Sequence, residues 1–83
     1  MSKRKATFSR FFSQMFLRGA GVAIYTFDDD AEHVMCRLEN QNGRGIAPPI
    51  TLSVERLDAL QGNAAGRLEQ LIEICLPAEG GAL

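Results

Sequence analysis

Apolar residues near the start of the chain recur at helical spacing. Phe8, Phe11, Phe12, Met15 and Phe16 fall at i, i+3, i+4, i+7 and i+8, which predicts one apolar helix stripe. Thr7 suits its N-cap, Gly19 its left-handed C-terminal residue, and Arg18 the negative end of its dipole. Arg10, Ser13 and Gln14 fall away from the stripe. Beyond Gly21 the spacing changes. Val22 to Phe27 is β-branched and aromatic, a predicted strand with Val22 and Ile24 on one face and Ala23, Tyr25 and Phe27 on the other. A strand apolar on both faces is central or covered on both sides. Asp28, Asp29 and Asp30 form an acidic turn. His33 to Asn40 returns, with Val34, Cys36 and Leu38 inward and Met35, Arg37 and Glu39 outward.

Asn42-Gly43 is a strong hairpin signal. Pro48-Pro49 delays the third strand to about Ile50 and confines it to an edge, because proline donates nothing to a ladder. Ser53 caps a short helix marked by Val54, Leu57 and Leu60, with Glu55 in its first turn, and Gly62-Asn63 breaks it. Ala64 to Leu76 resumes helical spacing with Leu68, Leu71, Ile72 and Cys75 on one stripe, and Pro77 stops it. The expected fold class is α+β: an N-terminal helix, a three-stranded antiparallel meander and a C-terminal helix broken near Gly62. It forms a single small domain over residues 1–83, with 1–6 and 78–83 as flexible tails.

Charge changes the picture of the N-terminal segment. Its first eighteen residues hold Lys3, Arg4, Lys5, Arg10 and Arg18 and no acid, whereas the rest of the chain holds four Arg against all ten acidic residues. A basic, Phe-rich head on an acidic body is suited to docking one segment against something else. Three readings stay open for it. It is part of the core; it is a surface helix for an anionic membrane; or its basic residues Lys3, Arg4, Lys5 and Arg10 meet nucleic-acid phosphates. The acidic body opposes the last two, since it repels polyanions.

With 83 residues and 46% apolar content, the chain is globular and limited to one domain. No apolar run approaches a membrane span. Two cysteines, Cys36 and Cys75, are too few for a disulfide framework, so a cytoplasmic chain with reduced, buried thiols is expected. Candidate chemistry is sparse. One His and two Cys lack zinc-ligand spacing, and the three Asp lack the rest of a calcium loop, so neither metal nor cofactor is expected. His33 has no nucleophile in a recognisable pattern. Asn42-Gly43-Arg44-Gly45 lacks the Lys-Ser/Thr helix start of a phosphate loop. The expectation is a protein that is not an enzyme.

Gly21-Val22-Ala23-Ile24-Tyr25, a turn, and then Cys36-Arg37-Leu38-Glu39-Asn40 resembles the central hairpin of small phage-encoded type I-F anti-CRISPR proteins. The capped segment from Ser53, followed by Gly66-Arg67-Leu68-Glu69 in the final helix, is similar to their C-terminal part. The resemblance covers Gly21 to Leu76. The turn with three Asp looks longer here, and the basic head has no counterpart. The resemblance implies a non-enzymatic inhibitor that binds a Cas backbone subunit and blocks target DNA; a small phage or mobile-element protein that inhibits another host machine, such as a motor ATPase, would look the same. It also implies a contact carried by a strand Tyr and a return-strand Glu, which match Tyr25 and Glu39. Arg37 and Met35 share the outward parity of Glu39 and would flank that contact. The partner is then a host protein or protein complex. A weak homodimer is also expected, because a short edge strand and a strand apolar on both faces leave surface that a small monomer covers poorly.

Overall fold

The computed structural model describes residues 5–76. Four antiparallel strands follow one another in chain order: β1 (Ala6–Phe11), β2 (Ala20–Phe27), β3 (Asp30–Asn40) and β4 (Ile50–Ser53). Two helices come after them, α1 (Val54–Asp58) and α2 (Ala64–Cys75). The class is α+β, but among the described residues there is no N-terminal helix, because β1 takes its place, and the sheet has four strands where the residue pattern predicts three. Residues 1–4 and 77–83 lie outside the described residues, and with them Lys3, Arg4, the stop at Pro77 and the C-terminal tail.

The N-terminal difference has a local cause. Phe8 stands opposite Tyr25 and Phe11 opposite Ala23, while Ser9 forms a bulge between Phe8 and Arg10. In a regular strand, residues three apart point to opposite faces. One extra residue restores them to the same face. The bulged strand therefore reproduces the i, i+3 spacing that reads as a helix. Gly19 is left-handed as expected (φ 79°), yet it belongs to a tight turn with Arg18 (φ 56°). Leu17 and Ala20 close that turn with reciprocal backbone hydrogen bonds of 2.9 and 3.0 Å. Two consecutive positive φ values match the twist of a hairpin, so this turn feeds straight into β2. Ala6 opens β1 rather than belonging to a tail.

The rest follows the sequence pattern closely. β2 is central, paired to β1 on one side and β3 on the other. The chain reverses at Asn40–Arg44, where the Asn40 carboxamide oxygen accepts from the backbone N–H groups of Asn42 and Arg44. β4 starts at Ile50 after the two prolines and is the edge opposite β1. The Ser53 hydroxyl accepts from Arg56 N–H, and the Asn63 carboxamide oxygen from Gly66 N–H, capping α1 and α2.

Both helices lie on one face of the sheet. Val22, Ile24, Val34, Cys36, Leu38 and Leu52 from the strands pack with Leu57 of α1 and Leu68, Leu71 and Cys75 of α2 in a single core. Phe12 and Leu17 join the edge of that core, half-buried. Among the described residues the opposite face of the sheet carries no helix. Among the described residues no helix is long and apolar enough to cross a membrane.

Candidate functional site

The face without helices is built by strand parity. In the β2–β3 register, Tyr25 stands beside Met35, Ala23 beside Arg37 and Gly21 beside Glu39. These residues alternate with the core positions Val22, Ile24, Cys36 and Leu38, so their side chains leave the opposite face. β1 extends the surface with Phe8 beside Tyr25 and Phe11 beside Ala23. Tyr25, Met35, Arg37 and Glu39 are thereby brought to one sheet face, as their parity requires.

Aromatic rings dominate one side of this face. The Phe8 ring meets Phe11 at 5.5 Å and Tyr25 at 5.6 Å, both edge-to-face, and Phe11 meets Phe16 at 6.0 Å. Such geometry lets the positive ring edge meet the negative face of its neighbour. The Phe16 ring packs against the backbone at Gly21, where a Cβ would come within 2.7 Å of the ring. Gly21 therefore makes room for Phe16, and Phe16 shields this end of β2. The cluster is only partly covered: Phe8 is 49% and Phe11 40% exposed.

A polar network completes the face. The Tyr25 hydroxyl donates to Glu39 Oε2 at 3.3 Å, and Arg37 Nη1 lies 3.6 Å from the same oxygen. Glu39 is only 5% exposed, so the residue pattern is right about its face but not about its solvation. A withdrawn carboxylate needs donors, and here the neighbouring hydroxyl and guanidinium supply them. The Arg37 guanidinium lies against Gly45, where a Cβ would approach Nε and Nη2 to 2.8 Å. The Gly45 backbone thus holds Arg37 from one side while Glu39 holds it from another.

Of the basic residues of the head, Arg10 does not join this cluster. Arg10 stands opposite Ile24, and so on the other side of the sheet. Lys5 is exposed just before β1. The sequence reading of the site missed Phe8, Phe11 and Phe16, because it assigned them to a helix. A usable signal was present: residues 7–13 hold Phe, Thr and Ser with Arg10 as the one strong helix former, a composition that favours a strand.

Elsewhere, His33 Nδ1 lies 2.8 Å from Asp30 Oδ2, three residues earlier on the same strand. Among the described residues no group of three or more His, Cys, Asp or Glu side chains could hold a metal ion. The chain matches no protein-family model and no curated protein sequence.

Proposed function

We propose that this chain is a small non-enzymatic inhibitor, encoded by a phage or mobile element, that acts in the cytoplasm by docking on a protein subunit of a host assembly. A CRISPR-Cas complex is the host machine that the hairpin resemblance favours. One observation carries the reading: a sheet face bare of helices bears the half-exposed Phe8 and Phe11 next to the Tyr25–Glu39–Arg37 network. An aromatic patch with an adjoining polar network is a typical interface anchor. The rings bury area at low entropic cost, and the hydroxyl and charges set register. The network also holds Tyr25 and Arg37 before any partner arrives, which lowers the ordering cost of docking.

The test replaces Tyr25 and Glu39 by Ala, singly and together. Melting temperature is followed beside capture of the host subunit and survival of phage against the host defence. The expected outcome is at least tenfold weaker capture and lost protection, with the fold retained. Unchanged protection, or loss that tracks unfolding alone, would overturn the reading.

Nucleic-acid binding is a second reading, favoured by the exposed Phe rings on a sheet face, since bases stack on such platforms. Its signature is steep loss of affinity with salt. Binding to single-stranded DNA or RNA no tighter than about 10⁻⁴–10⁻⁶ M at physiological salt is expected on the inhibitor reading. Sub-micromolar binding that collapses as salt rises would reverse the order of the two.

A further inference from the structure

The two edges of the sheet are finished differently. β4 covers only Ile50–Ser53, follows two prolines that have no N–H to offer, and passes straight into α1. β1 is the other edge, and among the described residues no strand pairs with its outer side. Thr7 to Phe11 are all exposed. The ladder to β2 shows which backbone groups this edge presents. Phe12 N–H donates to Val22 C=O at 2.8 Å, and in an antiparallel pair such bonds recur at every second residue. On β2 the same set includes Ile24 and Thr26, so the backbone groups of Ala23 and Tyr25 point to β3. Phe11 and Phe8, which stand opposite Ala23 and Tyr25, therefore turn their own N–H and C=O groups away from β2. Each of these two residues combines an outward backbone donor and acceptor with a half-exposed ring on the bare face.

We propose that β1 is a docking edge for an extended, acidic segment of a partner protein, which adds beside it as a further strand. Such docking rests on the reading of the bare face as a binding surface and adds the chemistry of the segment that binds. Strand addition satisfies the outward N–H and C=O groups of Phe8 and Phe11 together. Alternate side chains of the added strand lie beside the two Phe rings, so that parity is apolar. The other parity falls on the side of Arg10, which is exposed, and Lys5 is exposed just before the strand. The first eighteen positions hold five basic residues and no acid, so this parity calls for Asp or Glu. The bulge at Ser9 interrupts the edge and keeps the added strand short.

Two other occupants fit this edge less well. A second copy would lay Lys5 and Arg10 against their own kind, and cations and a bulge are devices that keep exposed edges from pairing with themselves. A nucleic acid would meet the cations and the rings. Its phosphates only accept hydrogen bonds, however, so they leave the outward C=O groups of Phe8 and Phe11 without a donor. A peptide backbone brings a donor and an acceptor on every residue but proline, and the acidic side chains discriminate in its favour.

The experiment titrates the full chain with a blocked peptide that alternates valine and glutamate over about six residues, and follows the backbone amides by NMR. The expected result is hydrogen exchange slowed by about tenfold or more at the Phe8 and Phe11 amides on saturation. The valine–lysine counterpart should bind about tenfold more weakly or worse at low salt. Of two glutamate peptides N-methylated on alternate residues, the one that loses its β1-facing N–H groups should fail to bind, and the other should bind. Lys5→Glu combined with Arg10→Glu, both at exposed positions, should weaken the glutamate peptide by about threefold or more. The proposal is overturned if the titration leaves these amides unprotected, if the lysine peptide binds equally, or if both methylated peptides bind alike. It is also overturned if the amides are already protected in a dimer without peptide, or if oligothymidylate binds this edge more tightly than the peptide does. Host-subunit capture by the Tyr25→Ala, Glu39→Ala chain tests the bare face separately, so the edge and the face can fail independently.

Discussion

Gly21 shows how one residue shapes the bare face. It sits in β2 opposite Glu39, and its missing side chain lets the Phe16 ring lie against the backbone. A Cβ there would meet Phe16 carbons at 2.7 and 2.8 Å, closer than carbon atoms approach without displacement. Gly21→Ala is expected to push the ring away and cost about 1–3 kcal/mol, as overpacked sites do. The check is a double-mutant cycle by chemical denaturation. In a Phe16→Ala background the same change should be close to neutral, so the two substitutions should couple by most of that cost. A Gly21→Ala penalty that survives without Phe16 would show that the backbone, not the ring, demands glycine.

The elements read correctly from sequence are those whose determinants lie within a few residues. Ser53 caps α1 as expected, and Asn63, expected only to break the preceding helix, caps α2, because a short polar side chain reaches a backbone N–H three residues on. Leu68, Leu71 and Cys75 are buried because i, i+3 and i+7 share a helix face. Replacing either cap by Ala is expected to cost about 0.5–2 kcal/mol, read as a lower denaturation midpoint with unchanged slope. The Asn63 change should matter more, since its helix carries three of the buried core residues while α1 carries only Leu57. β1 is the element that sequence spacing misassigns. Its helical periodicity comes from a bulge at Ser9, and a bulge is decided by pairing with β2, which local spacing does not contain.

For the molecule as a whole, the two faces of the sheet have different fates. One is sealed by α1 and α2; the other keeps half-exposed Phe8 and Phe11 at its β1 edge. Weak, concentration-dependent self-association through this bare face is expected in the absence of a partner, because such rings gain by leaving water. Sedimentation across a wide concentration range checks it. A double substitution of Phe8→Ser and Phe11→Ser should give a monomer at every concentration while the helix-side core stays folded. A wild-type chain that sediments as a monomer throughout would remove the dimer and leave the face for a different protein.

The sequence by itself determined the central hairpin, the edge position of the strand after Pro49, the Ser53 cap of α1, the apolar stripe of α2, and the shared parity of Tyr25, Met35, Arg37 and Glu39. Each rests on a period or a contact between near neighbours in the chain. Tertiary structure alone decided that the Phe-rich head is a strand, that its rings stack beside Tyr25, and that Glu39 is withdrawn from water. It alone also decided that Cys36 and Cys75 are buried in one core. These outcomes depend on which face the helices cover and on which residue of β2 each residue of β1 meets. A bulge or a helix docking event sets such relations across the sheet, and the spacing of residues along one strand carries no record of them.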